Sequence, residues 1–219
     1  MKVLKFLLAI PVLGTIVGIA NSYVYHGDDR ASHQFAGLGK WIKSLGIPIG
    51  ISVLLSSVTL WPAIIYYIET RRFCLINVTE FATKPGSVIV SVLPNLVGFG
   101  IGVYALVFSL KGIILRDLAE MISLRKARGS QDYGAVLMIN ADFAYPLLVL
   151  VITIAIGVLQ QGNSSEPFVV VAWVCFWYSM VISVEIIGVL FGLGDQTLLE
   201  QLAGSAASDA RSSTGDQDT

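Results

Sequence analysis

Five long apolar runs, nearly free of charge, cover most of this 219-residue chain, at about 3–25, 44–68, 85–110, 143–159 and 167–193. A run needs about 20 apolar residues to cross a hydrocarbon core of roughly 30 Å. In such a medium each backbone polar group must find its partner within the segment, so helix is the default. The predicted fold class is therefore an all-α polytopic membrane protein with about five helical segments. Composition agrees: 55% of residues are hydrophobic and 13% charged, where an ordinary soluble domain carries roughly 25% charged residues. The formal net charge of -1 leaves no electrostatic footprint for nucleic acid.

The flanks refine the segments. The first follows Lys2 and Lys5, a layout shared by signal peptides, but its apolar part extends through Tyr23 and Val24, which favours an uncleaved anchor. The second carries Pro48 and Pro62 near its ends and closes on Trp61, Tyr66 and Tyr67, aromatics suited to a membrane interface. The third has Pro94, Asn95 and three glycines at its middle, and reads as either a kinked span or a re-entrant hairpin. Residues 112–128 place Ile114, Leu118, Met121 and Ile122 at helical spacing, which predicts an amphipathic cytoplasmic helix. Residues 1–202 form the predicted membrane domain. Residues 203–219 are nearly all small or polar and predict a disordered tail.

Basic residues collect on the cytoplasmic side of membrane proteins. Five crossings from an outside start put Arg30, Lys40, Lys43, Lys111, Arg116, Arg125, Lys126, Arg128 and Arg211 inside, and Lys2, Lys5, Arg71, Arg72 and Lys84 outside. A re-entrant third segment with an inside start leaves only Arg30, Lys40 and Lys43 outside. Both arrangements make the tail and the third loop cytoplasmic, in a plasma or inner membrane.

Two places invite chemistry. The first is the centre of segment three, with Pro94, Asn95, Gly98, Gly100 and Gly102 as candidate pore or packing residues. Gly98 and Gly102 form a G-x-x-x-G face on which another helix packs closely. Alternatively, Pro94 and Asn95 mark an unwound stretch of the kind found at solute sites. Val97-Gly98-Phe99-Gly100 also looks like the V-G-[YF]-G core of potassium-channel filters, whose carbonyls replace an ion's hydration shell. Leu96 stands where those filters carry Thr, and residues 88–93 do not look like their pore helix, so no family is assigned.

The second place is Glu185, about eight residues inside the end of segment five. An ionised carboxylate at depth costs at least about 2.5 kcal/mol, so Glu185 is expected to face the bundle interior or a subunit interface. Asp142 reads as a cap for segment four, and Cys74 and Cys175 as unpaired thiols. Arg116, Arg125, Lys126 and Arg128 are candidate cytoplasmic docking residues. His26 and His33 lie near Asp28 and Asp29, a spacing that reads as a solvated loop, and no metal site or cofactor is expected. The chain carries no G-x-S-x-G, H-E-x-x-H or P-loop pattern, so no enzyme is expected. The expected function is a subunit of an oligomeric ion or small-solute channel or transporter. The alternative is a non-conducting scaffold or accessory subunit that docks a cytoplasmic partner through residues 111–140. Expected partners are the bilayer and a second copy or another membrane subunit.

Overall fold

In a computed structural model of the chain, residues 10–26, 29–32, 34–72, 74–75, 79–109 and 134–215 are described. These residues are helical with short connections, and no strand occurs among them. The α-helices are α1 (Pro11–Val24), α2 (Leu38–Thr59), α3 (Trp61–Thr70), α4 (Glu80–Thr83), α5 (Pro85–Ser109), α6 (Gly134–Gly162) and α7 (Glu166–Gly215). Four of them, α2, α5, α6 and the first part of α7, are long and apolar enough to cross a membrane. Helix α1 is apolar but shorter. The outer flanks stay apolar, with Leu54, Phe99, Val158 and Phe191 all exposed, as lipid contact requires.

Helix α6 is the centre. Of its apolar window 39% is buried, against 17% for α2 and α5 and 22% for α7. It packs on α5, α7 and α1, and α7 packs in turn on α2. Lipid tails are as apolar as leucine, so packing and hydrogen bonds hold such helices together rather than water exclusion. The core shows both. Ile89, Leu93, Leu150 and Trp173 are fully buried in one cluster, and the Trp173 indole N–H donates to the Ala82 carbonyl at 2.7 Å. That bond anchors α4 against α7. Outside the core, Lys84 lies 2.6 Å from Glu80 and holds its carboxyl below the usual range. Both groups are solvated, so the pair adds little stability.

The third segment is one helix from Pro85 to Ser109, not a hairpin. Its partners along α6 establish the direction. At its start the Gly86 N–H donates to Gln160 Oε1 at 2.8 Å. Next come Ile89 against Gly157 and Gly100 against Leu147. Near its end Tyr104 donates to Asn140 at 2.8 Å. Contacts that fall steadily in number along α6 as they rise along α5 mean two antiparallel helices in full-length contact. Pro94 lacks only its own N–H, and the turns on either side continue the helix.

Other boundaries also differ from those predicted. The second segment is not a single helix: α2, a span by itself, stops at Thr59 and α3 begins at Trp61, with Leu60 between them at φ -100°, ψ 17°. Pro62 occupies the first turn of α3, where its missing N–H has no intrahelical partner in any case. Segment four starts earlier than predicted, at Gly134. The α7 backbone is helical as far as Gly215, within the stretch for which a disordered tail is predicted. Extending an existing helix skips the unfavourable nucleation step, so even small and polar residues can follow on. The predicted amphipathic helix at 112–128, with Arg116, Arg125, Lys126 and Arg128, lies outside the described residues, as do 216–219.

Candidate functional site

The helix directions gather one set of ends together: the C-terminal end of α1, the N-terminal ends of α2 and α6, and the membrane-exit end of α7. Between them lies a cleft of about 460 Å³. Tyr23 and His26 enter from α1 and the turn after it, Lys43 and Ser44 from α2, Asp142 from α6, and Glu185 with Gly188 and Val189 from α7. Asp142 and Glu185 are half-buried on the walls, while Lys43 and His26 are exposed at the rim.

Glu185 therefore faces protein. The Tyr23 hydroxyl donates to its Oε2 at 2.5 Å, the sort of bond that strengthens when the acceptor is ionised. Tyr23 also stacks on Tyr145, with centroids 4.1 Å apart and planes 13° from parallel. The Tyr145 and Tyr178 hydroxyls lie 2.7 Å from each other. Four side chains from three helices thus form one connected unit, with a carboxylate at its cleft end.

Asp142 is not a cap. It lies inside α6, which begins at Gly134, and no described residue donates a hydrogen bond or ion pair to its carboxylate. It shares the cleft with His26 and Lys43 at the rim. Among the described residues no three His, Cys, Asp or Glu side chains come together as metal ligands do. Two carboxylates beside tyrosine rings suit a monovalent or organic cation better than Ca²⁺, which takes six to eight oxygens.

Local structure holds α1 in place here. Asn21, fully buried, donates to the Ala31 and Gln34 carbonyls, both at 2.8 Å, and accepts from the Ala36 N–H at 2.9 Å. One amide thus fixes the connection between α1 and α2. His26 stands just past α1 at φ 49°, a left-handed conformation in which His is over-represented among non-glycine residues. Lys40 lies 3.8 Å above the Tyr25 ring, a cation–π contact that ties the start of α2 to the same turn.

The residues singled out in segment three are elsewhere. Pro94, Asn95, Gly98 and Gly102 lie on the exposed face of α5, and a Cβ at Gly98 or Gly102 would meet nothing within 4 Å. Gly100 alone is turned inward, against Leu147. Close helix packing within the chain instead uses Gly86, Gly100 and Gly157. Residues 97–100 are wound into α5, so their carbonyls are taken up by helix hydrogen bonds and do not line a filter.

Tyr23, Lys43, Tyr145 and Tyr178 were not identified from the sequence. Helical spacing held part of the signal: Tyr145 is one turn from Asp142, and Tyr178 is two turns from Glu185, each pair on one face. No protein-family model matches the chain, and no curated protein or solved structure matches it either.

Proposed function

We propose that this chain is an integral membrane protein that binds a small cation in the Asp142–Glu185 cleft, as the loading end of a channel or transporter subunit. The observation that carries the reading is the pair of half-buried carboxylates from α6 and α7 in one cleft, where the Tyr23 hydroxyl donates to Glu185. A carboxylate within a span, as Glu185 is, with the basic His26 and Lys43 only at the exposed rim, is the kind of residue that marks a cation or proton path.

The orientation follows from the same geometry. In the five-crossing arrangement the cleft end carries Arg30, Lys40 and Lys43, and the charge count assigns Lys111, Arg116, Arg125, Lys126 and Arg128 to the same side of the membrane. The opposite end carries Arg71, Arg72 and Lys84. The cleft then opens to the cytoplasm. In a background without native cysteines, Ser164→Cys is expected to react with an impermeant maleimide in intact cells. Gln34→Cys is expected to react only after permeabilisation. The reverse pattern would invert the orientation.

The functional test is Glu185→Gln, which keeps shape and hydrogen bonding and removes the charge. Uptake of methylammonium into proteoliposomes is expected to fall about tenfold or more, the worth of one charge-assisted contact, with the assembly unchanged on gel filtration. Wild-type uptake in both Glu185→Gln and Asp142→Asn would sink the reading. A second reading has its own support: Ile89, Leu93, Leu150, Trp173 and Phe176 close the middle of the bundle. A chain without uptake of its own then serves as a non-conducting subunit, docking a cytoplasmic partner through residues 111–140. Under the first reading the path forms in a homo-oligomer or beside another membrane subunit, and the exposed Asn95–Gly98–Gly102 face of α5 is the surface offered for that contact.

A further inference from the structure

We propose that the cleft and an apolar groove beside it take one ligand, an amphiphilic amine, meaning an apolar body that carries a protonated nitrogen. The proposal rests on the cation-binding reading of the cleft and names the class of cation. The groove has a volume of about 370 Å³ and lies among α2, α6 and α7, lined by Leu45, Ile49, Val149, Ile152, Val174 and Cys175. Tyr145 and Tyr178 form its wall on the cleft side.

Along each of the three helices the groove continues where the cleft ends, and always in the same direction. On α2, Lys43 and Ser44 line the cleft, and Leu45 and Ile49 the groove. On α6, Asp142 is followed by Val149 and Ile152. On the antiparallel α7, Glu185 precedes Tyr178, Cys175 and Val174 when read backwards. From Asp142 to Ile152 is about 15 Å of helix, all of it leading from the membrane end toward the middle. The stacked rings of Tyr23 and Tyr145 join the two spaces: Tyr23 lines the cleft, with Glu185 on its hydroxyl, and Tyr145 lines the groove.

Charge complementarity selects the occupant. A nitrogen attached directly to an apolar body would reach Asp142, Glu185 and the tyrosine faces, which attract cations. A phospholipid would place its phosphate next to its chains, against these same carboxylates, while Lys43 and His26 remain out at the rim. An ordinary acyl chain has no use for the carboxylates at all.

Cys175, on the groove wall, is a built-in reporter. In full-length protein carrying Cys74→Ser, reconstituted in phosphatidylcholine nanodiscs, alkylation of Cys175 by N-phenylmaleimide is followed with dodecylamine, dodecanol or dodecyl sulfate present. Dodecylamine alone is expected to slow the reaction. Glu185→Gln and Asp142→Asn are each expected to raise the concentration needed for protection about tenfold. Ile49→Trp and Ile152→Trp fill the groove from partly exposed positions. Both are expected to abolish protection by dodecylamine while methylammonium uptake persists. Equal protection by dodecanol would show a groove for acyl chains only and overturn the proposal. So would the absence of protection by dodecylamine in a protein that takes up methylammonium. Insensitivity of both readouts to Glu185→Gln and Asp142→Asn would remove the cation reading along with it.

Discussion

Gly157→Leu is expected to prevent the bundle from assembling, whereas Gly98→Leu should leave the fold of the single chain intact and act only on contacts between chains. A Cβ at Gly157 would lie 2.8 Å from the Cβ of Ile89 and closer still to its Cγ2. Ile89 is fully buried in the core cluster and has nowhere to retreat. On the facing helix a Cβ at Gly86 would meet the Gly157 carbonyl oxygen and stand 2.5 Å from Gln160 Oε1. The two backbones therefore touch. Overpacking of a tight core costs about 1–3 kcal/mol when neighbours can yield, and backbone against backbone yields least. Forcing α5 from α6 would also break the bonds from Gly86 to Gln160 and Gln161. Fluorescence-detected gel filtration after a heating series reads both variants side by side. Similar losses in the two would show that the α5–α6 contact is not the seam described above.

The second large effect is expected at Asn21. Replacing it with Leu keeps the volume and strands the Ala31 and Gln34 carbonyls and the Ala36 N–H. A buried polar group left unpaired costs about 1–3 kcal/mol, and here three lose their partner together. The α1–α2 connection should loosen, taking Tyr23 away from Glu185. Hydrogen exchange is expected to rise by an order of magnitude or more at Ala36 and through the first turn of α2, with methylammonium uptake lost in parallel. Asn21→Asp keeps the acceptor for Ala36 and removes both donors, so it should fall in between. Unchanged exchange in the Leu variant would mean that the connection is held by something other than this amide.

How much of this was legible beforehand depends on what each residue encodes. The lengths of the apolar runs encode the helices directly, because only one secondary structure satisfies the backbone at that depth. Glu185 was legible for a similar reason: a carboxylate among valines and isoleucines has few places to go. The glycines were not. Spacing picked out Gly98 and Gly102 as a face, but it carries no information on which way that face is turned. Gly86 and Gly157 matter because they sit opposite each other on different helices, a relation with no trace in local sequence. Asp142 was misread because a cap and a mid-helix residue look alike until the true helix start, Gly134, is known. The re-entrant hairpin came from a charge count, which biases topology without dictating it.

Helix α2 meets α7 through Pro48, Ser52 and Ser56, one small residue per turn. From Ser52 onward each hydroxyl on this helix is turned back on its own backbone: Ser52 to the Pro48 carbonyl, Ser56 to Ser52, Ser57 to Val53 and Thr59 to Leu55. The side-chain bond from α7 comes at the far tip of this stretch, from Trp177 to Thr59 at 3.0 Å. Mechanically, this is a plain bearing with a pin at one end. The α5–α6 pair, tied at both ends and keyed by glycines, is the frame on which it is mounted. A helix held in this way can slide along its neighbour at smaller packing cost than α5 can against α6, where backbone meets backbone.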